Sequence, residues 1–244
     1  MATVSDAFYD RAGEFVGVLL PAVWQGMDAA LTGALSGLDA GDDPIVDVGA
    51  GTGIDTAVIA AAVPGAEIIA VEPHRGLRTA LLARIGGDDA LRERVTVLDA
   101  DLLTAPLPER ISALVAMNVI GHFPPPDRRD VWALLAQRLT PQGRAVLNLY
   151  PPASPQHVPA TAMADVRIGR LRYTGTAAAE PAGDDAITWT MTYRVVDDGH
   201  TRTEFSATDH WYVFGPEQLA AELAEYDLHV TPGNPAHGIQ VITR

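Results

Sequence analysis

A glycine-rich loop between an apolar strand and a helix constrains this chain more than any other feature. Ile45-Val46-Asp47-Val48 reads as the strand, Gly49-Ala50-Gly51-Thr52-Gly53 as the loop, and Ile54 to Val63 as a helix that Pro64-Gly65 stops. Glycine lets the backbone turn sharply and lets a ligand approach where a Cβ would block it. The spacing is Gly-x-Gly-x-Gly, not the Gly-x-Gly-x-x-Gly of dinucleotide enzymes, and no Lys-Ser or Lys-Thr pair follows to cradle phosphates. A ligand is expected at the carboxyl ends of the strands, near the switch point of a parallel sheet.

The flanking sequence supplies that sheet. Glu67 to Val71, Val95 to Leu98, Ile111 to Met117 and Arg144 to Tyr150 read as further strands. Arg75 to Ile85 and Val131 to Leu139 read as helices, closed by Gly86-Gly87 and by Thr140-Pro141-Gln142-Gly143. Strands alternating with helices imply right-handed crossovers and helices on both faces. Residues 5–38 read as helical with a break or kink at Pro21. After Pro151-Pro152 the texture changes. Residues 167–174, 187–196 and 201–214 read as three longer antiparallel strands, with Asp197-Asp198-Gly199 as the turn between the last two. Residues 176–182 and 183–185 read as small-residue loops. A helix from Glu217 to Tyr226 and strands at 228–231 and 239–243 close the chain. The expected division is an N-terminal helical lid (1–40), a core (41–150 and 215–244) and an antiparallel β insertion (151–214).

Charge narrows the partners. The 244 residues carry a formal net charge of −14, and all 17 basic residues are arginine. Arg128-Arg129 is the one adjacent basic pair, and Asp127 and Asp130 flank it. The overall field repels a phosphate-rich polymer, so no nucleic-acid partner is expected. Cysteine is absent, which excludes disulfides, thiolate metal sites and a Cys nucleophile. The histidines show no ligand-like spacing, so no metal is expected. Asp6 and Asp10 sit where a secretory signal needs basic residues, and the apolar run Phe15 to Trp24 is too short to span a bilayer. A cytoplasmic protein with no membrane partner is the expectation.

Two acids suit an adenosine group. Glu72 ends the second strand about 20 residues beyond the last glycine, where a carboxylate accepts from both hydroxyls of a ribose. Asp99 ends the third strand, where a carboxylate accepts from an adenine amino group and the Ala100 backbone N–H serves a ring nitrogen; Asp101 competes for the role.

Ile-Val-Asp-Val-Gly-Ala-Gly-Thr-Gly (45–53), Ala-Val-Glu-Pro (70–73), Val-Leu-Asp-Ala-Asp (97–101) and Ala-Met-Asn-Val-Ile-Gly-His-Phe (116–123) together resemble the successive motifs of class I S-adenosylmethionine-dependent methyltransferases. The resemblance covers about residues 40–150, with the terminal helix and two strands adding to it. It implies an α/β, Rossmann-like, doubly wound and mostly parallel seven-stranded sheet, with the antiparallel insertion placed before the last helix. It also implies S-adenosyl-L-methionine as cofactor and S-adenosyl-L-homocysteine as product. Gly49, Ala50, Gly51 and Gly53 would pack against the methionine and ribose portions, Glu72 would bind ribose, and Asp99-Ala100 would bind adenine. Asp47 matches the acid linked to the methionine ammonium, and Asn118-Val119 match the segment lining the methionine end. Pro73 stands where many members carry a different apolar residue beside the adenine.

The transfer side rests on fewer residues. Methyl transfer is a displacement at a sulfonium, so the protein mainly positions and desolvates the nucleophile. His122 follows the fourth strand, where a neutral imidazole serves as base or, alternatively, as a packing side chain. Tyr150 follows the fifth strand. Asn148-Leu149-Tyr150-Pro151-Pro152 has the wrong order for the Asn-Pro-Pro-aromatic motif of base-amino methyltransferases. Trp189, Tyr193 and Trp211 of the insertion suit a roof over an acceptor, or a contact with a second copy in a homodimer. Tyr9 resembles part of an N-terminal segment that covers the cofactor in relatives. The expected activity is methylation of O, N or C of a small-molecule metabolite. The alternatives are another reaction with the same cofactor, or a non-catalytic binding module.

Overall fold

The computed structural model describes residues 4–244, with side chains from Ala7 onward. The chain packs into two compact units. Residues 26–153 and 214–244 make one, and the N-terminal helix to Gln25 with residues 154–213 makes the other.

In the larger unit the order is α2 (Met27–Leu35), β1 (Ile45–Val48), α3 (Ile54–Ala62), β2 (Ile68–Val71), α4 (Arg75–Gly86), α5 (Asp89–Arg94), β3 (Val95–Leu98), β4 (Ile111–Ala116), α6 (Pro125–Arg138), β5 (Leu139–Asn148), α7 (Pro216–Ala224), β10 (His229–Pro232) and β11 (Ile239–Thr243). The sheet runs β10-β11-β5-β4-β1-β2-β3. The β5-β4-β1-β2-β3 neighbours are parallel, β11 is antiparallel to β5, and β10 is antiparallel to β11. This is the expected seven-stranded, mostly parallel, Rossmann-like sheet. Sequence order reverses at β1, whose neighbours are β2 and β4, and that is where such sheets open a crevice.

Strand alternation gives both faces of β1 a task. Val46 and Val48 join an apolar layer with Trp132 and Leu135 of α6 and Leu219 and Leu223 of α7. Asp47 faces the other way, toward Thr56 of α3. Between α6 and α7 the guanidinium of Arg128 is fully buried. It donates to both oxygens of Glu222 at 2.8 and 2.6 Å and lies 4.0 Å over the Phe214 ring. Trp132 Nε1 donates to the same carboxylate at 2.9 Å and Gln218 Nε2 at 3.0 Å, so three partners satisfy one buried charge.

The smaller unit holds α1 (Val4–Val23) and a four-stranded antiparallel meander: β6 (Val158–Ile168), β7 (Leu171–Pro181), β8 (Ala186–Asp197) and β9 (His200–Tyr212). Phe8, Ala12, Phe15 and Leu19 of α1 share an apolar cluster with Tyr193, Val195 and Ala207 of the sheet.

Several boundaries differ from expectation. The N-terminal helical stretch breaks at Gly26, which has φ +87°, and Pro21 sits inside the last turn of α1. The expected 1–40 segment is therefore divided, with α1 in the smaller unit and α2 in the larger. Four strands replace three. β6 has small residues and Pro159, which suits an edge strand that no ladder needs on its outer side. Residues 176–181 extend β7 rather than forming a loop, because Ala177 and Ala179 pair with Met191 and Trp189. β5 begins at Leu139, through the Thr-Pro-Gln-Gly stop, with an irregular register against β4. α5 was not expected; Asp88 caps it by accepting from the N–H groups of Ala90 and Leu91. Among the described residues no single helix is long and apolar enough to cross a membrane.

Candidate cofactor and active site

The three glycines of the loop all have positive φ, but for different reasons. A Cβ at Gly49 would stand 2.6 Å from Cγ2 of Val119, and one at Gly53 would stand 2.7 Å from Cδ1 of Leu81. These two let the loop press against the segment after β4 and against α4. At Gly51 the nearest atom to a Cβ is the Gly49 carbonyl oxygen, at 3.7 Å, so space lies open there. Arg84 Nε of α4 donates to the Thr52 carbonyl oxygen at 2.8 Å and pins the loop from outside. Thr52 Oγ1 is buried and has no hydrogen-bond partner among the described residues. A buried hydroxyl in that state calls for a polar group that the protein itself does not supply.

Glu72 is buried beside the loop. Its Oε2 accepts from the Gly51 N–H at 2.8 Å and its Oε1 from the His74 N–H at 2.7 Å. Burial raises its pKa, and these two bonds oppose the rise. An ionised carboxylate offers about four lone-pair sites, so both oxygens retain capacity for further donors. Arg78 of α4 donates to the carbonyl oxygens of Glu72 and Pro73 at 2.9 and 2.8 Å and to Asp99 Oδ2 at 2.8 Å. It straps the end of β2 to the end of β3. Asp99 is largely exposed and Ala100 is half-buried.

Asp47 is fully buried and accepts from Thr56 Oγ1 at 2.5 Å. Burial, with the Asp55 carboxylate next in effect, raises its pKa to about 7. Burial raises Asp55 to about 6. Such paired acids favour a cationic group nearby.

Beyond β4, Asn118 adopts the left-handed conformation at φ +57°. Its N–H donates to Asn148 Oδ1 at 2.7 Å, and Asn148 Nδ2 returns a bond to Asn118 Oδ1 at 2.7 Å. Asn148 is buried at the end of β5. Val119 and His122 follow, with His122 in a short 3-10 turn, residues 120–122. Burial lowers the His122 pKa to about 4, so the ring is neutral at physiological pH. Tyr150, just past β5, is exposed. Among the described residues no group of three His, Asp or Glu side chains is placed to hold a metal ion.

The sheet thus brings Asp47, the glycine loop, Glu72, Asp99, Asn118 and His122 to the carboxyl ends of β1 to β4. Of the aromatic residues expected at the acceptor, Tyr9, Trp189, Tyr193 and Trp211 belong to the smaller unit. Tyr193 lies in the cluster with Phe15, ring centroids 4.8 Å apart and stacked. Tyr9 is half-buried beside that cluster, 5.1 Å from the Phe8 ring. Trp189 lies in a second cluster with Ile187 and Val213, and Trp211 packs against it. Thr56, Arg78 and Asn148 were missed as site residues.

Residues 45–143 match the model of a methyltransferase domain. Over these residues the chain carries a methyltransferase domain. No curated protein matches the chain by sequence. Solved structures similar to this methyltransferase include the amino pentose methyltransferase CalS10 of Micromonospora echinaspora, solved with S-adenosylmethionine bound. It is 20% identical, with 100% of this chain and 98% of that chain covered at a TM-score of 0.71. DesVI of Streptomyces venezuelae is 20% identical, with 100% and 99% covered at a TM-score of 0.73. The sugar N-methyltransferase KedS8 of Streptoalloteichus is 19% identical, with 100% and 94% covered at a TM-score of 0.65. At these identities the likeness is one of fold.

S-adenosylmethionine fits the residues present. The methyltransferase has an open cradle at Gly51, an unpartnered buried hydroxyl at Thr52, an anionic pocket at Asp47 and a pinned carboxylate at Glu72.

Proposed function

We propose that this methyltransferase N-methylates the amine of an amino sugar or a closely related small metabolite. One observation carries the choice of acceptor. The likeness to an amino pentose methyltransferase and a sugar N-methyltransferase runs over the whole of this chain and nearly all of theirs.

When bound, S-adenosylmethionine supplies an electrophilic methyl group on a sulfonium. The protein's own residues do the rest. Asp47 holds the cationic methionine end, and the backbone of Gly49 to Gly53 admits the ligand without a Cβ in the way. Glu72 accepts from the ribose hydroxyls. Asp99, held by Arg78, and the Ala100 backbone address the adenine beside Pro73. Asn118, locked by Asn148, and Val119 shape the methionine end.

An amine is nucleophilic only when it has lost its extra proton. Burial lowers the His122 pKa to about 4, so at neutral pH its ring stays unprotonated and offers a nitrogen lone pair that orients an amine by accepting a hydrogen bond from it. Tyr150, exposed just past the end of β5, is the aromatic residue we assign to the acceptor. The cysteine-free sequence fits a cytoplasmic enzyme.

The test is product formation. The enzyme is incubated with S-adenosylmethionine and a set of amino sugars, each paired with its hydroxyl analogue. Mass spectrometry should find a gain of one methyl on the amines, with matching S-adenosylhomocysteine. Methylation of the hydroxyl analogues at equal rate, or of no amine, would overturn the reading.

A further inference from the structure

The hairpin ends of the four-stranded sheet gather arginines in a chain that is otherwise acidic. Arg167, Arg170, Arg172 and Arg202 line one cleft of about 760 Å³, built wholly within the smaller unit. Asp197 and Asp198 are the only carboxylates among its lining residues. Four guanidiniums against Asp197, Asp198 and the Asp165 that binds Arg172 leave a local positive surplus of one, where the whole chain carries −14. The cleft shares no residue with the glycine loop.

Its geometry is organised rather than splayed. Asp197 is buried and draws in two arginines: Arg202 Nη2 lies 2.7 Å from Oδ2 and Arg170 Nε lies 3.4 Å from Oδ1. Each guanidinium has five N–H donors in a fixed fork, so one carboxylate leaves most of them available. Arg202 is the extra residue of a β-bulge, because Thr201 and Thr203 pair with Val196 and Val195 in succession. A bulge re-aims one side chain out of the regular alternation. Arg167 and Arg172 are direct cross-strand partners. Like charges directly opposite each other destabilise a sheet. Asp165 neutralises Arg172 by a bidentate contact, but among the described residues Arg167 donates only to the Gly169 carbonyl oxygen, at 3.0 Å. An anion beside Arg167 would give it the charge partner that Asp165 gives Arg172.

We propose that this cleft binds a diphosphate-type anion. Forked guanidiniums match phosphate oxygens two at a time, and pre-orientation by Asp197 and Asp165 lowers the ordering cost of binding. The proposal does not depend on methyl transfer.

The probe is inorganic pyrophosphate, titrated by calorimetry into the full chain at fixed ionic strength. Saturable one-to-one binding is expected, displaced by phosphate and not by chloride. Arg167→Gln and Arg202→Gln should each weaken it by about tenfold or more, the scale of a lost charge-assisted bond, with S-adenosylmethionine affinity and circular dichroism unchanged. No saturable binding to the parent overturns the proposal, as does binding unchanged in both variants. A salt-sensitive dimer in size-exclusion chromatography that both variants abolish would assign the arginines to the acidic surface of a second copy, and would also overturn it.

Discussion

Asn118 and Asn148 are bonded to each other twice, backbone N–H to side-chain oxygen and side-chain NH₂ to side-chain oxygen, each at 2.7 Å. The pair joins the ends of two adjacent parallel strands and holds a left-handed turn in place. Asn148→Ala leaves the Asn118 N–H and side chain unpaired. It should cost about 1–3 kcal/mol of stability and weaken S-adenosylmethionine binding. Asn148→Asp keeps the acceptor and loses the donor, so it should fall between parent and Ala. Urea denaturation and calorimetry on the three proteins check the order.

Gly49 and Gly51 look alike in sequence but should fail differently. Gly49→Ala forces a Cβ against Val119, in a positive-φ conformation, and should cost about 2–4 kcal/mol of stability. Gly51→Ala meets no protein atom closer than 3.7 Å, so its stability cost is confined to the backbone, about 1–2 kcal/mol. Its main effect should be on cofactor affinity. Equal loss of affinity per unit of stability in both variants would contradict this division.

Asp47 should make cofactor binding depend on pH. Its pKa is raised to about 7, so below that value the free protein carries a proton there. A cation binds the ionised form. Affinity for S-adenosylmethionine should therefore rise between about pH 6 and 8, and binding at the lower end should release a proton. Calorimetry in buffers of different ionisation enthalpy detects that proton. Asp47→Asn should bind more weakly at high pH and lose the dependence.

Glu222 makes acid stability depend on one buried pair. Burial alone would raise its pKa, but the bonds from Arg128, Trp132 and Gln218 outweigh it and hold the carboxyl at about 2. The folded value is depressed, so its stabilisation is present above the unfolded value near 4.5 and lost as pH falls toward 2. Glu222→Gln should lose about 3 kcal/mol at neutral pH, and its deficit against the parent should shrink by pH 3. Urea midpoints at both pH values measure the gap.

What was legible in the sequence was local. The strand, loop and helix around Gly51 lie within twenty residues, and Glu72 follows at a spacing that one crossover dictates. Arg78 and Asn148 were not legible. Arg78 matters because β2 and β3 end side by side, and Asn148 because β5 lies next to β4; neither adjacency is written in neighbouring residues. The insertion aromatics show the opposite limit. Alternation in β8 marks Trp189 and Tyr193 as facing one side, but not what covers that side. For Tyr193 the cover is Phe15, from a helix at the other end of the sequence. β6 was missed because Val-Pro-Ala-Thr-Ala-Met-Ala carries little apolar contrast, and an edge strand needs little.

The joining of α1 to a sheet encoded after residue 153 sets an order of events during synthesis. α1 leaves the ribosome before the sheet it packs on, with Phe8, Phe15 and Leu19 on one apolar stripe. Its partners Tyr193, Val195 and Ala207 emerge only after most of the chain has been made. Until then the stripe has no native cover, and closing so long a loop slows its docking. A helix made well before its sheet is thus buried late, and a chain halted before β9 would leave it as an adhesive stripe.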